Sequence, residues 1–265
     1  MVSIILFLAY IVSVLFGIYY FDFQVDGLIN QPITIALSFV GGIFVVVFLM
    51  ILYIEILYLF VHKKSIQSMT KHKIAKQMMM FPVNVMNMRV KVVGLENVPQ
   101  ERGFSIYSNH IAMWDIPILM WGLYEYPVAF LAKESVRKVP FLSKWITTIG
   151  CVLLDRSNNR KGAESIINVI KNIKNGSTMV IFPEGTRHLD TRKLLPFKDG
   201  AFKAALKSKA PLVPVTIVDE TGKRIWPMPK RYTIVIHQPI AFADYRQLKT
   251  NELSDVVREI IASAL

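Results

Sequence analysis

Residues 1 to 61 contain no Lys or Arg and only three acids, Asp22, Asp26 and Glu55. A stretch so poor in charge calls for lipid rather than water around it, and that limits every other choice the chain can make. Val2 to Phe21 is apolar throughout, about the 20 residues a helix needs to cross roughly 30 Å of hydrocarbon. Asp22 to Pro32 is a polar turn, and Ile33 to Val61 is a second apolar run, longer than one crossing requires. Two spans are predicted, at about 2–21 and 33–55, with Glu55 at the far interface between Tyr53 and Tyr58, where aromatic belts sit. A cleaved signal peptide fits less well, because no basic n-region precedes the first run and a second run follows at once. Ala9, Ser13 and Gly17 in the first run, and Ser38 and Gly42 in the second, recur every four residues. These stripes predict a closely packed helical hairpin over 1–61.

The remainder is strongly basic. The chain holds 31 basic and 19 acidic residues; with three of the acids in the first 61, residues 62–265 carry 31 cations against 16 anions, a formal +15. His62, Lys63 and Lys64 follow the second run directly, whereas the Asp22 to Pro32 turn has no cation. The positive-inside rule therefore predicts a multi-pass protein of the cell membrane with its main domain on the cytoplasmic side. Ser65 to Phe81 alternates Ile66, Met69, Ile74, Met78 and Phe81 with lysines, the pattern of a basic amphipathic helix, so 62–88 is read as a membrane-surface segment. Such a charge attracts anionic headgroups and acidic carriers. Nucleic acid is excluded as a partner by the apolar runs and by the lack of zinc-ligand spacing or a basic-region heptad. The single Cys151 forms no intrachain disulfide and reads as a buried strand thiol.

From residue 89 to 265 the pattern alternates. Short β-rich runs at Arg89–Val93, Phe104–Tyr107, Val128–Ala132, Cys151–Leu154, Thr178–Phe182, Leu212–Val218 and Thr233–Ile236 read as strands. Helical patterns at Arg160–Lys174, Lys198–Lys207 and Asn251–Leu265 lie between or after them. Alternation of this kind predicts an α/β domain with a largely parallel sheet flanked by helices.

Two stretches carry chemistry. Ser108-Asn109-His110-Ile111-Ala112-Met113-Trp114-Asp115 stands where a strand gives way to a helix with Pro117 in its first turn. Helical neighbours face each other at spacings of three or four, so His110 and Asp115, five apart, meet only if the chain turns between them. The carboxylate then holds one imidazole nitrogen and leaves the other as a base. No Ser or Cys nucleophile adjoins the pair, so the substrate supplies the attacking group, most simply a hydroxyl. The second stretch, Phe182-Pro183-Glu184-Gly185-Thr186-Arg187, follows a buried strand at its carboxyl end, where open α/β sheets place ligands. Gly185 permits close backbone approach, Thr186 offers a hydroxyl, and Arg187 offers a planar fork that matches phosphate oxygens.

Taken together, these two stretches resemble the 1-acylglycerol-3-phosphate acyltransferase family of membrane glycerolipid acyltransferases. Further matches lie at Lys133, Pro140-Phe141, Gly150 and Asp155-Arg156, at Lys198-Asp199-Gly200-Ala201-Phe202, and at Ala210-Pro211-Leu212-Val213-Pro214-Val215. The resemblance spans roughly Val92 to Val218. It implies that His110 is the general base and Asp115 its orienter, and that Glu184, Gly185, Thr186 and Arg187 hold the acceptor's glycerol phosphate. By the same resemblance Lys133 and Arg156 add phosphate cations. The implied reaction moves a fatty acyl group from acyl-CoA or acyl carrier protein to the sn-2 hydroxyl of lysophosphatidic acid, giving phosphatidic acid without a cofactor. Alternatives are another acceptor, such as glycerol 3-phosphate or a different lysolipid, and a non-catalytic scaffold for anionic lipid. Departures from the family pattern stand at Ala112, Ser135, Ser143 and His188. No metal is implied, since His62, His72, His110, His188 and His237 lack ligand spacing.

Overall fold

A computed structural model of the chain describes residues 2–24, 31–139, 142–155, 159–188, 192–222 and 227–265. The chain divides into two compact units, Met1–His62 and Lys63–Leu265.

The first unit is a pair of packed helices, α1 (Val2–Gln24) and α2 (Gln31–Val61). Among the described residues one helix, Ile33–Val61, is long and apolar enough to cross a membrane, while the apolar part of α1, Ile5–Tyr20, is shorter. Helix α1 continues through Asp22, which the sequence assigned to the turn, and α2 runs past Glu55 to Val61 without a break. The small-residue stripes do meet. A Cβ on Gly17 would lie 2.8 Å from Ser38 Oγ, and one on Gly42 would lie 2.8 Å from Val14 Cγ2 and 3.0 Å from Tyr10 Cε2, so hydrogen at these positions lets the two backbones approach. The hydroxyls of Ser13 and Ser38 donate within their own helices, to Ala9 O (2.6 Å) and Thr34 O (2.9 Å), and make no demand on water. Outside this seam the pair is covered with exposed Phe, Leu, Ile and Val side chains.

The second unit is built on a seven-stranded sheet. Its strands are β1 (Met88–Val93), β2 (Ser105–Ser108), β3 (Val128–Lys133), β4 (Val152–Leu154), β5 (Thr178–Ile181), β6 (Leu212–Asp219) and β7 (Lys230–Ile236), in the spatial order β1-β7-β6-β2-β5-β3-β4. The five strands from β6 to β4 are mutually parallel. β7 returns antiparallel to β6 and β1 pairs with it in parallel, so the largely parallel sheet predicted from the alternation carries a reversed edge. Helices α4 (Asp115–Gly122), α5 (Leu142–Thr148), α6 (Asn159–Lys174), α7 (Lys203–Ser208), α8 (Phe242–Tyr245) and α9 (Thr250–Ala262) connect or follow the strands. The segment read as helix over Lys198–Lys207 is split, a 3₁₀ turn over Asp199–Phe202 leading into α7.

The helices cover the sheet because their apolar residues fall on one face. In α9, Leu253, Val257 and Ile261 recur every four residues and are fully buried, while Asp255 and Arg258 between them are exposed. Each such side chain contributes about 1.5–3 kcal/mol by leaving water. Helix α6 also closes the sheet edge: Ser165 Oγ donates to Leu153 O (2.8 Å) and Asn172 Nδ2 to Gly150 O (3.0 Å), which blunts β4 against pairing with another chain.

The segment expected to lie on a membrane surface differs in detail. Helix α3 spans Met69–Val85, starting four residues later than predicted and continuing through Pro82. Three of its basic residues turn inward. Lys71, His72 and Lys76 are buried, with Lys71 Nζ donating to Lys64 O (2.6 Å) and Lys76 Nζ donating to Leu123 O, Tyr124 O (2.7 Å) and Tyr126 O. For Lys76 the physical reason is the carboxyl end of α4, where carbonyls without helical partners attract a cation. Ile74, Met78 and Phe81 are half-buried and Val85 is exposed.

Candidate active site

Parallel pairing decides where the two polar stretches go. β2 and β5 are neighbours with Tyr107 opposite Ile181, so their carboxyl ends release His110 and Phe182–Arg187 side by side. Lys133 ends β3, the next strand along. Arg156 lies outside the described residues.

The corner after β2 begins with an amide. The backbone register between β2 and β6 ends at Ser108 opposite Val215. Beyond it Asn109 Nδ2 donates to Ile217 O (2.9 Å) and Asn109 Oδ1 accepts from Ile217 N–H (2.8 Å). This fully buried side chain continues the ladder in place of the main chain, and the main chain is free to leave the sheet with His110.

His110 Nδ1 lies 2.6 Å from Asp115 Oδ2. The same oxygen accepts from Ile111 N–H (2.8 Å) and Ala112 N–H (3.0 Å), so Asp115 closes the loop it belongs to as well as holding the ring. Asp115 opens α4, which is why a spacing of five brings the two side chains together. Its side chain is wholly buried, whereas that of His110 is 19% exposed; the ring therefore reaches the surface while its partner does not. Burial pushes the Asp115 carboxyl up from the ordinary carboxylate range, and His110 with the amides of Ala112 and Ile111 supports the charged form against it. With Nδ1 committed to Asp115, Nε2 is the nitrogen that can take a proton from outside the pair.

Three contacts fix His110 from the β5 side. The Phe182 ring stacks on the imidazole with centroids 4.3 Å apart and planes 18° apart. Glu184 Oε1 accepts from His110 N–H (2.8 Å), and His188 N–H donates to His110 O (3.1 Å). The other Glu184 oxygen accepts from Leu195 N–H (2.9 Å). Glu184 is 3% exposed, and burial pushes its carboxyl up while the amides of His110 and Leu195 favour the charge. The carboxylate predicted to touch the acceptor thus spends both oxygens on backbone amides. Gly185 has φ +71°, a left-handed conformation that side chains resist, and its N–H bonds Phe182 O (3.0 Å). This sharp turn brings Thr186 and Arg187 to the surface, where both are exposed, as Lys133 is.

Local sequence reasoning passed over the roles of Asn109, Phe182, His188 and the Leu195 amide. The only sequence signal was position, an amide at a strand end and an aromatic just before Pro183. Among the described residues no group of three His, Cys, Asp or Glu side chains is placed to hold a metal ion.

The sequence matches the family model described as Acyltransferase over residues 89–218. It is 30% identical over 183 residues to the 1-acyl-sn-glycerol-3-phosphate acyltransferase of Borreliella burgdorferi, a match covering 67% of this chain and 72% of that protein. With the enzyme of the same name from Bacillus subtilis it shares 33% identity over 164 residues, or 62% of this chain and 79% of the relative. The crystal structure of the 1-acyl-sn-glycerophosphate (LPA) acyltransferase PlsC from Thermotoga maritima superposes with a TM-score of 0.62 and 29% identity, covering 73% of this chain and 77% of that one.

Proposed function

The chain belongs to the 1-acyl-sn-glycerol-3-phosphate acyltransferase family, and from that premise we propose that it transfers a fatty acyl group from acyl-CoA or acyl carrier protein to the sn-2 hydroxyl of lysophosphatidic acid, forming phosphatidic acid. The observation that carries the mechanism is the 2.6 Å contact between His110 Nδ1 and buried Asp115 beside an exposed cationic loop. His110 Nε2 removes the hydroxyl proton as the oxygen attacks the thioester carbonyl carbon. A carbon–oxygen bond forms, the carbon–sulfur bond breaks, and the proton passes to the departing thiolate. Asp115 keeps Nδ1 protonated and stabilises the imidazolium in between. Thr186, Arg187 and Lys133 contact the phosphate, with Gly185 shaping the turn and Arg156 adding a further cation. Thiolates leave readily, so the site requires no strong acid, and the reaction uses no cofactor.

The apolar helix pair holds the protein in the cell membrane, crossing it twice, with residues 62–265 on the cytoplasmic side. Supporting this are the apolar exteriors of α1 and α2 and the lysines that begin at Lys63. Acyl transfer by the detergent-purified protein, with lysophosphatidic acid and glycerol 3-phosphate offered in parallel, tests the reading. Phosphatidic acid formed from lysophosphatidic acid is the expected product; transfer to glycerol 3-phosphate alone would replace the acceptor, and no thiol release with either would overturn the activity.

A further inference from the structure

Resting on that reaction, we propose that Glu184 is a positioning residue that fixes the backbone of the general base and the chain that follows the cationic loop, and is not a ligand of the acceptor. Its two oxygens reach two amides from different parts of the chain, His110 N–H at 2.8 Å and Leu195 N–H at 2.9 Å. A second bond runs parallel to this strut, from Lys198 N–H to Pro183 O (2.9 Å). The segment from Leu195 to Lys198 is thereby stapled to the turn that follows β5. Its neighbour Phe202 stacks on Tyr107, with centroids 4.5 Å apart, and Tyr107 Oη donates to Ala201 O (2.9 Å). Tyr107 stands three residues before the base.

His188 and Leu195 are therefore both pinned to the same corner. His188 N–H holds His110 O, and Leu195 N–H holds Glu184. Arg187 stands next to His188, Arg192 and Lys193 stand shortly before Leu195, and all three are exposed. Glu184 thus sets two things at once, the line along which His110 presents its ring and the position of Leu195 next to these cations.

Charge argues the same way. A carboxylate aimed at a phosphorylated acceptor would repel it, and a 3% exposed one would first have to give up its amides. Held where it is, beside His110, its negative charge favours the imidazolium that forms when the base takes its proton.

The test is steady-state kinetics of the full-length protein in detergent with lysophosphatidic acid. Glu184→Gln keeps the shape but leaves one amide facing an NH₂ group; misplacement of a base by about 1 Å costs on the order of 10²-fold. The expected result is a kcat fall of about 10- to 100-fold, with acceptor KM changed less than kcat. Glu184→Asp, which keeps the charge but not the reach, should not rescue it. A rise in KM that exceeds the fall in kcat, or wild-type kinetics in Glu184→Gln, would overturn the proposal. Amide hydrogen exchange on the ligand-free wild type gives a second answer that needs no variant to fold. Slow exchange at both His110 and Leu195 is expected, and fast exchange at either would overturn the strut. A wild type inert towards every acceptor would instead remove the proposed function.

Discussion

The His110–Asp115 corner and the Gly185–Arg187 loop leave adjacent strands at the same end of the sheet, and they are built in opposite ways. At the corner, Asp115 and Asn109 are wholly buried, and His110 is held through its ring, its N–H and its C=O. In the loop, Thr186 and Arg187 are exposed and stand on a left-handed glycine. The difference follows from what each has to do. A base works when its tautomer and direction are settled before substrate arrives, and burial makes each fixing bond stronger. A phosphate arrives hydrated and charged, and exposed cations can meet it without first losing their own water. Under the proposed function, chemistry falls to the buried element and recognition to the exposed one.

The largest expected effect lies at the corner. His110→Ala removes the proposed general base, and kcat should fall by about 10²- to 10⁴-fold. Lipid binding, read by co-sedimentation with lysophosphatidic acid vesicles, should persist; parallel loss of both would erase the division of labour. A smaller effect is expected in the loop. Gly185→Ala forces a side chain into φ +71° at roughly 1–2 kcal/mol, and the strained turn should show as a raised acceptor KM with kcat nearly kept. A kcat loss as large as that of His110→Ala would mean that the conformation of Gly185 itself, and not only the Phe182, Glu184 and His188 contacts, is needed to hold the base.

A third buried polar cluster, around Lys76, sharpens the comparison by asking what burial alone does. Loss of water around Lys76 pushes its amine down from 10.5 to about 7, against the pull of Glu125. Between those values the unfolded chain binds a proton that the folded chain does not, so this group makes folding more favourable as pH rises from about 7 towards 10.5. Below about 7 its contribution is constant and least favourable. Denaturant midpoints should therefore show wild-type stability rising relative to Lys76→Met across that window; a constant offset would contradict the shift. Activity at neutral pH should change least of all.

Much of this was legible in the sequence because it depended on short-range pattern. The strand before His110, the helix beginning at Asp115 and the apolar faces of α6 and α9 follow from runs of a few residues. The small-residue seam between α1 and α2 was equally plain, since a four-residue repeat implies one helix face. What the pattern could not carry was pairing across distance. Glu184 meets His110 over 74 residues, and Asn109 meets Ile217 over 108, and neither bond leaves a local trace. The burial of Lys76 in α3 went unread for the same reason. The inward turn of Lys76 depends on the carbonyls of Leu123, Tyr124 and Tyr126, which only the fold brings within reach.

The most direct test of the division between corner and loop is one pair of variants assayed side by side, Asp115→Asn and Arg187→Ala, with kcat and acceptor KM determined for lysophosphatidic acid. Asp115→Asn unsettles the tautomer of His110 and should lower kcat by about 10²- to 10⁴-fold with KM little changed. Arg187→Ala removes the proposed, exposed phosphate contact and should raise KM about 10-fold with kcat nearly kept. If Arg187→Ala instead loses its kcat, or Asp115→Asn loses only affinity, the roles assigned to the buried and exposed elements are wrong.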